Sequence, residues 1–172
     1  EKGIAPDTIE TFIGEPKIDL LVEEMDALPL KIAVREAAKR LKIPVIMVTG
    51  NGEGILLDVE RYDIDPDLPI LNGLMEPRVL ETITHPSGPL APREKVALAR
   101  DFMGARYLDP RLRDSFTKFG NELIGIPQLA ESSFMRGAAL CYAAKAIILD
   151  RPLASGRYSF SFSDQLVSPS TP

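Results

Sequence analysis

Apolar residues between positions 18 and 57 follow a pattern that predicts a β-α-β unit and one further strand. Residues 18–22 form a short apolar run, and residues 44–48 form a second run, rich in β-branched side chains, that is typical of a parallel strand covered on both faces. Between the runs, apolar side chains recur at helical spacing, with basic residues such as Lys31 and Arg35 between them. We expect the two strands to be parallel neighbours joined by a right-handed crossover. The helix face expected to pack on the sheet consists of Leu30, Val34, Ala37, Ala38 and Leu41.

Three carboxylates follow the first predicted strand: Glu23, Glu24 and Asp26. In a parallel sheet, the carboxyl ends of the strands open into the crevice where ligands bind. Mg²⁺ prefers oxygen ligands and is usually held by one or two carboxylates together with waters and a substrate phosphate. The pattern is therefore compatible with a magnesium site. It is equally compatible with one carboxylate that caps the following helix and others that are solvated.

Residues 19–31, the predicted helix, residues 43–47 and the glycine-rich segment 50–54 together resemble the second half of the ThiF/MoeB adenylating domain. That fold is shared by the ubiquitin-activating enzymes and their bacterial relatives. Asp26 stands at the position of the family's metal-binding aspartate, Lys31 stands where the family has an arginine, and Ala27 stands where it has an asparagine. The resemblance covers about residues 7 to 58. It implies a Rossmann-like three-layer α/β fold of the ThiF type, with a helical insertion and a terminal antiparallel strand.

The resemblance implies an ATP-dependent adenylyltransferase, which activates the carboxylate of a small carrier protein or of a small acid as an acyl-adenylate. Asp26 would bind Mg²⁺ and the nucleotide, and Lys31 would bind the nucleotide and neutralise charge in the phosphoryl transition state. Because the chain begins at Glu1 within the resembled fold, we expect it to be the C-terminal portion of that fold. The glycine-rich ATP loop would lie in an upstream half, so Mg-ATP would bind only when that half is present. The resemblance also implies a homodimer.

Two other functions are compatible with parts of the sequence. One is a non-catalytic binding or scaffolding domain that kept the fold and lost the site. It is favoured by Ala27 and by the fact that the upstream half of the resembled fold is not in this sequence. A nicotinamide-dependent dehydrogenase is less favoured, because the glycines of segment 50–54 do not have the spacing of a dinucleotide fingerprint and residues 55–60 are strand-like. We therefore expect segment 50–54 to be a turn between two strands.

The remaining elements are predicted from periodicity and from helix start and stop signals. Helices are expected at residues 6–14, 92–103 and 127–150, and another follows Asp109, which is predicted to be its N-cap. Prolines make residues 62–92 an irregular excursion, with room for one short helix within 74–83. Residues 168–172 are expected to be a loose tail. The core face of the first helix is expected to carry Ile9, Phe12 and Ile13.

Residues 157–163 alternate between aromatic and serine side chains, with Tyr158, Phe160 and Phe162 on one side. This period of two predicts a half-buried strand, either antiparallel or at a sheet edge.

The long helix predicted at residues 127–150 carries small residues at spacings of three and four. Such a stripe allows another backbone to approach closely, so we expect it to be buried against the sheet or against its counterpart in a dimer. Cys141 lies in the stripe and is expected to be a small buried residue rather than a catalytic one. The small residues are Ala130, Ser133, Gly137, Cys141 and Ala144.

Composition narrows the class of protein without identifying a function. The chain has 172 residues, of which 45% are hydrophobic and 26% are charged, as is ordinary for one globular domain, 1–172. The net charge of -5 gives no basic footprint for nucleic acid or an acidic membrane surface. The single cysteine excludes an internal disulfide and a paired-cysteine zinc site. We expect a cytoplasmic location, and His85, the single histidine, is expected to be a surface or turn residue.

Overall fold

A computed structural model describes residues 4–166 as a mixed α/β chain, built on one four-stranded sheet with the order β1-β2-β3-β4. Strand β1 is parallel to β2, whereas β2 with β3 and β3 with β4 are antiparallel pairs. The predicted α/β class and the predicted parallel neighbours are confirmed, although the first strand is much shorter than the apolar run 18–22. The predicted loose tail, 168–172, lies outside the described residues. The strands are β1 (Leu21–Val22), β2 (Val45–Asn51), β3 (Gly54–Glu60) and β4 (Gly156–Ser161).

Seven α-helices are described within residues 4–166, and several begin at the residues that the sequence marks. Pro92 is the first residue of its helix, and the Asp109 side chain accepts hydrogen bonds from the backbone N–H groups of Arg111 and Leu112, as predicted for an N-cap. The proline-rich excursion contains one short α-helix, which starts at Pro77, and a 3₁₀ turn at Ile70–Gly73. The helices are α1 (Ile9–Gly14), α2 (Leu28–Arg40), α3 (Pro77–Thr84), α4 (Pro92–Met103), α5 (Pro110–Lys118), α6 (Ala130–Ile148) and α7 (Phe162–Gln165).

Helices cover both faces of the sheet because successive side chains of β2 point in opposite directions. Val45 packs with α1 and α2, and Met47 packs with α2, α3 and α4. Ile46 and Val48 point the other way and pack against α6. The buried strand pattern that the sequence predicts for residues 44–48 follows from this covering on both sides.

The apolar face predicted for α2 packs on the sheet. Val34, Ala37 and Ala38 are buried, and Leu30 and Leu41 are partly buried against the same cluster. The helix also buries a charged side chain, because Arg35 is completely inaccessible to solvent. In α1, the prediction for Phe12 is wrong: Ile9 and Ile13 face the core, whereas Phe12 is 61% exposed.

The glycine-rich segment 50–54 is a tight turn between β2 and β3, as predicted. Asn51 pairs with Gly54, and Gly52 has a φ of 62°, a conformation that favours glycine. The Asn51 side chain accepts a hydrogen bond from the backbone N–H of Asp109 at 2.8 Å and donates one to the carbonyl of Tyr107 at 2.9 Å. The turn therefore fixes the segment that leads into α5.

Strand β4 is the antiparallel edge strand that the alternation at residues 157–163 predicts. Its aromatic side remains well exposed, with Tyr158 at 40% and Phe160 at 41%. Phe162 lies beyond the strand, in the short helix α7.

Most of the small-residue stripe of α6 faces away from the sheet, whereas its last member, Ala144, is partly buried against the sheet cluster. Ala130, Ser133, Gly137 and Cys141 are exposed, and the helix packs on the sheet through another face that includes Met135, Ala143 and Ile147. The expectation that Cys141 is buried within the chain is wrong, since its side chain lies on the surface. Among residues 4–166, no helix is both long and apolar enough to cross a membrane.

Gly54 is the glycine for which the fold leaves least room. A Cβ atom there would lie 2.6 Å from the Phe160 backbone oxygen, so we expect Gly54→Ala to push β4 away and to lower the free energy of unfolding by about 1–3 kcal/mol. Gly125 has no atom within 4 Å of the corresponding position, so Gly125→Ala is the matched control and should change stability by less than about 0.5 kcal/mol. Urea unfolding of both variants measures the difference, and equal stabilities would contradict the described β3–β4 pairing.

Candidate functional site

The carboxyl end of β1 leads directly into the acidic segment that the sequence marks as a candidate site. Glu23, Glu24 and Asp26 follow β1, and β2 runs alongside, so that the Glu24 carboxylate accepts a hydrogen bond from the backbone N–H of Val48 at 2.8 Å. The three carboxylates have different surroundings. Glu23 is buried, whereas Glu24 and Asp26 are exposed residues.

Glu23 is bound by two basic residues of α2. The Lys31 ammonium lies 3.0 Å and 3.1 Å from the two carboxylate oxygens, and the Arg35 guanidinium lies 2.5 Å from Oε2. The backbone N–H of Met25 donates a further hydrogen bond to Oε1 at 2.7 Å. The Glu23 carboxylate therefore holds α2 in place, and both of its oxygens are already bound by protein groups.

Arg35 continues the network along the α2 side of the sheet to the end of β3. Its Nε donates a hydrogen bond to the Glu60 carboxylate at 2.8 Å. The other oxygen of Glu60 accepts hydrogen bonds from the Tyr62 hydroxyl at 2.5 Å and from the backbone N–H of Leu71 at 2.6 Å. One guanidinium thus joins the end of β1 to the end of β3 through two carboxylates, both fully buried.

The charges of this network shift the pKa values of its members. Burial acts to raise the pKa of Glu23, but the charges of Arg35 and Lys31 outweigh it and hold the pKa of that carboxyl below its usual range. Burial acts to lower the pKa of Arg35, and the two carboxylates Glu60 and Glu23 reverse this and raise it. Burial, reinforced by the neighbouring Glu60 carboxylate, raises the pKa of Tyr62. The Glu23 carboxylate and the Arg35 guanidinium are therefore both charged at neutral pH.

The pKa of Glu24 is shifted in the opposite direction from that of Glu23. Loss of solvent around its carboxylate raises the pKa of Glu24, and the hydrogen bond from Val48 and the charge of Lys31 oppose that rise only in part. A carboxylate with a raised pKa at the end of a strand is a candidate for proton transfer.

A cavity of about 250 Å³, called the site cavity below, opens at this edge of the sheet. Both carboxylates and basic side chains line this cavity. Asp26 forms no ion pair with another residue of the described range 4–166. Lys31 reaches the cavity with only 12% of its side chain exposed and lies 5.9 Å from the centre of the Phe102 ring. The lining residues that carry polar groups are Glu24, Asp26, Lys31, Thr49 and Arg136.

The structure thus brings Asp26 and Lys31 to one cavity, as their sequence spacing predicts. Their roles in metal binding, nucleotide binding and catalysis stay predictions. Neither Asp26 nor another side chain caps α2, since its N-cap residue, Ala27, makes no side-chain hydrogen bond. His85 lies on the surface after α3 and does not line the site cavity.

The donor set of the site cavity fits a magnesium ion that is shared with a phosphate. Glu24 and Asp26 offer carboxylate oxygens, and Mg²⁺ commonly uses one or two carboxylates and fills its remaining positions with waters and phosphate oxygens. Within the part of the chain that the structure describes, no group of three or more His, Cys, Asp or Glu side chains is arranged to hold a metal. A metal at Asp26 would therefore take most of its ligands from water or from a bound molecule.

Sequence reasoning missed Arg136, the second cation of the site cavity. It comes from α6, on the other side of the sheet from α2, more than 100 residues after Asp26. In the sequence it is one charged residue within a long helix, and no local signal distinguishes it. It enters the site because α6 packs on β2 and β3, with Ser132 and Arg136 beside Gly50 of β2.

Comparisons with known proteins do not assign a family to this chain. No protein-family profile matches it. It is 31% identical over 173 residues to the "Uncharacterized protein MT1398" of Mycobacterium tuberculosis (strain CDC 1551 / Oshkosh), a match that covers 99% of this chain and 23% of that protein. The chain therefore spans about a quarter of the length of this relative. Among solved structures, the crystal structure of PaaA in its selenomethionine form is 20% identical, with a TM-score of 0.46 over 93% of this chain and 43% of that one.

The two-carboxylate arrangement around Arg35 generates a prediction about stability. We expect Arg35→Met to lower the free energy of unfolding by about 3–5 kcal/mol, because it leaves the buried Glu60 carboxylate without a counter-charge. The matched control is Arg40→Met in the same helix, where both Arg40 and its partner Glu10 are more than half exposed. That control should cost at most about 1 kcal/mol.

Urea unfolding at neutral pH measures both variants. Similar losses for the two arginines would contradict the burial of Arg35, and Arg35→Lys should fall between them, because it keeps the charge and loses the fork that contacts both carboxylates.

Proposed function

We propose that this chain forms one side of the nucleotide site of a ThiF/MoeB-like, ATP-dependent adenylyltransferase with a Rossmann-like three-layer fold. In this reaction the carboxylate of a carrier protein or of a small acid attacks the α-phosphate of ATP, and pyrophosphate leaves as the acyl-adenylate forms. The observation that carries the proposal is the position of Asp26, an exposed carboxylate without an ion-pair partner in the described residues, at the carboxyl end of a parallel strand and on the rim of a cavity that also holds two cations.

Three polar residues of the site cavity, Asp26, Lys31 and Arg136, have a role in this proposal. Asp26 would bind Mg²⁺, which supplies charge neutralisation to the phosphates when bound. Lys31 and Arg136 present positive charge to the same space, where negative charge develops during adenylyl transfer. Glu23 would add little repulsion toward a nucleotide, because Lys31 and Arg35 neutralise its carboxylate.

One observation favours the second candidate function, a non-catalytic binding or scaffolding domain. The Lys31 ammonium contacts both oxygens of Glu23, so its charge is largely used inside the protein. With Ala27 in place of the family's asparagine, the polar groups directed at a nucleotide would be fewer than in an active enzyme of the proposed type.

The exchange of labelled pyrophosphate into ATP separates the two candidates in the intact protein that carries this chain. We expect Asp26→Ala to abolish carboxylate-dependent exchange, because the metal loses its protein ligand, while the circular dichroism spectrum is unchanged. Asp19→Ala is the matched control, since Asp19 is an exposed aspartate that precedes β1, outside the site cavity. Full exchange in Asp26→Ala would remove Asp26 from the mechanism, and no exchange in the unmodified protein would favour the scaffold.

The 172 residues alone should bind Mg-ATP negligibly in calorimetry. Backbone N–H groups of a glycine-rich loop supply most phosphate contacts in such sites, and the glycine-rich segment 50–54 is instead a turn between β2 and β3. Submillimolar binding by this chain would contradict the proposed division of the site.

We also propose that the protein is a homodimer that pairs through the exposed small-residue stripe of α6. Phe134, which is 82% exposed on this helix, should lie in the contact, so Phe134→Asp is expected to convert a micromolar dimer into a monomer in sedimentation velocity. Ile124→Asp is the control, because Ile124 is fully exposed outside α6 and should leave the dimer intact. Monomeric behaviour of the unmodified chain would contradict the proposal.

A further inference from the structure

We propose that a second cavity, next to the site cavity, binds the apolar body of a small carboxylic acid. This cavity, called the α3–α4 cavity, lies between helices α3 and α4 and the first residues of α2. Its volume is about 610 Å³. Small-molecule sites in proteins commonly have volumes of about 300–1,000 Å³ and mainly apolar walls. The inference deepens the proposed function, on which it rests, because it names a small acid rather than a carrier protein as the group to be activated.

The walls of the α3–α4 cavity are almost entirely apolar. Ile83 of α3 is a buried wall residue, and Leu98 of α4 and Leu90 of the preceding loop are partly buried beside it. Burial of each additional methylene of a ligand against such walls contributes about 0.8 kcal/mol. The cavity therefore favours an aliphatic or aromatic group.

Two charged residues line this cavity, Asp26 and Lys95. Lys95 is exposed on the first turn of α4 and forms no ion pair with any residue between positions 4 and 166. An ammonium beside an apolar wall attracts a ligand whose polar end is an anion, and a carboxylate is the anion that an adenylating site needs. Charge complementarity at Lys95 thus selects an acid.

Asp26 lies where the two cavities adjoin. Asp26, Leu28 and Ala99 line both of them, so a ligand held in the α3–α4 cavity ends close to the proposed metal and nucleotide. When Asp26 holds Mg²⁺, its negative charge no longer opposes a carboxylate. Without the metal, the negative charge of Asp26 should weaken the binding of an acid, so removal of that charge should strengthen it.

The test measures the binding of octanoate, octylamine and butyrate to the 172-residue chain without ATP. Binding is monitored through backbone amide shifts in NMR spectra. Octanoate should bind and shift the amides around Ile83 and Leu98. Butyrate should bind more weakly by about three- to fourfold for each missing methylene. Lys95→Met should weaken octanoate on the order of tenfold, because a charge-assisted hydrogen bond is lost.

Two further variants make the result specific. Lys145→Met, at an exposed lysine of α6 outside this cavity, should leave octanoate binding unchanged. Asp26→Asn should strengthen octanoate binding in the absence of metal. Octylamine that binds as tightly as octanoate, octanoate binding that Lys95→Met does not alter, or amide shifts confined to other parts of the chain would each overturn the proposal.

Failure of this inference is distinguishable from failure of the proposed function. Pyrophosphate exchange that depends on a carrier protein, with no octanoate binding, would overturn the small-acid site and leave the adenylyltransferase standing. Octanoate binding that depends on Lys95, with no exchange in the intact protein, would retain the site and remove the adenylation step.

Discussion

The guanidinium of Arg35 is the contact on which the arrangement of this chain depends. It lies between two fully buried carboxylates, with Glu23 at 2.5 Å and Glu60 at 2.8 Å. Glu23 follows β1 and Glu60 ends β3, so this one side chain of α2 fixes the helix against two strands of the sheet. A buried charge is costly unless its partners are correctly placed, and each element must therefore take its position for the others to be stable.

The network is close to neutral, which explains how so many polar groups are accommodated inside the fold. Lys31 and Arg35 offset Glu23 and Glu60, and the Tyr62 hydroxyl occupies an oxygen of Glu60 that the arginine does not reach. Such a network contributes a defined geometry more than net stability, because desolvation offsets much of the attraction between the charges. At this sheet edge the geometry holds Lys31 at the rim of the site cavity.

The candidate site follows from that fixed geometry. Glu23 supports the fold, while Glu24 and Asp26, within three residues of it, project into a cavity that α4 and α6 help to line. The start of α2 also borders the α3–α4 cavity, so one short segment separates a cavity with several charged side chains from a mainly apolar one. Two cavities that share Asp26, one with several charged side chains and one mainly apolar, suit a ligand with a charged end and an apolar body.

The sequence by itself determined the local elements. The β-α-β unit, the turn at segment 50–54, the Asp109 cap, the helix that begins at Pro92 and the edge strand β4 all depend on side chains close together in the chain, and periodicity or a capping residue reports them directly. The position of Asp26 and Lys31 at one strand end was also predictable, since a parallel strand followed by a helix brings both to the same edge. The burial of Arg35 was not, because its partner Glu60 lies 25 residues away and a basic residue within an amphipathic pattern normally faces solvent. Only the tertiary structure decided which charges are paired, that Arg136 joins the site, that Phe12 and Cys141 are exposed, and that an apolar cavity lies beside Asp26, since each depends on how elements distant in sequence pack together.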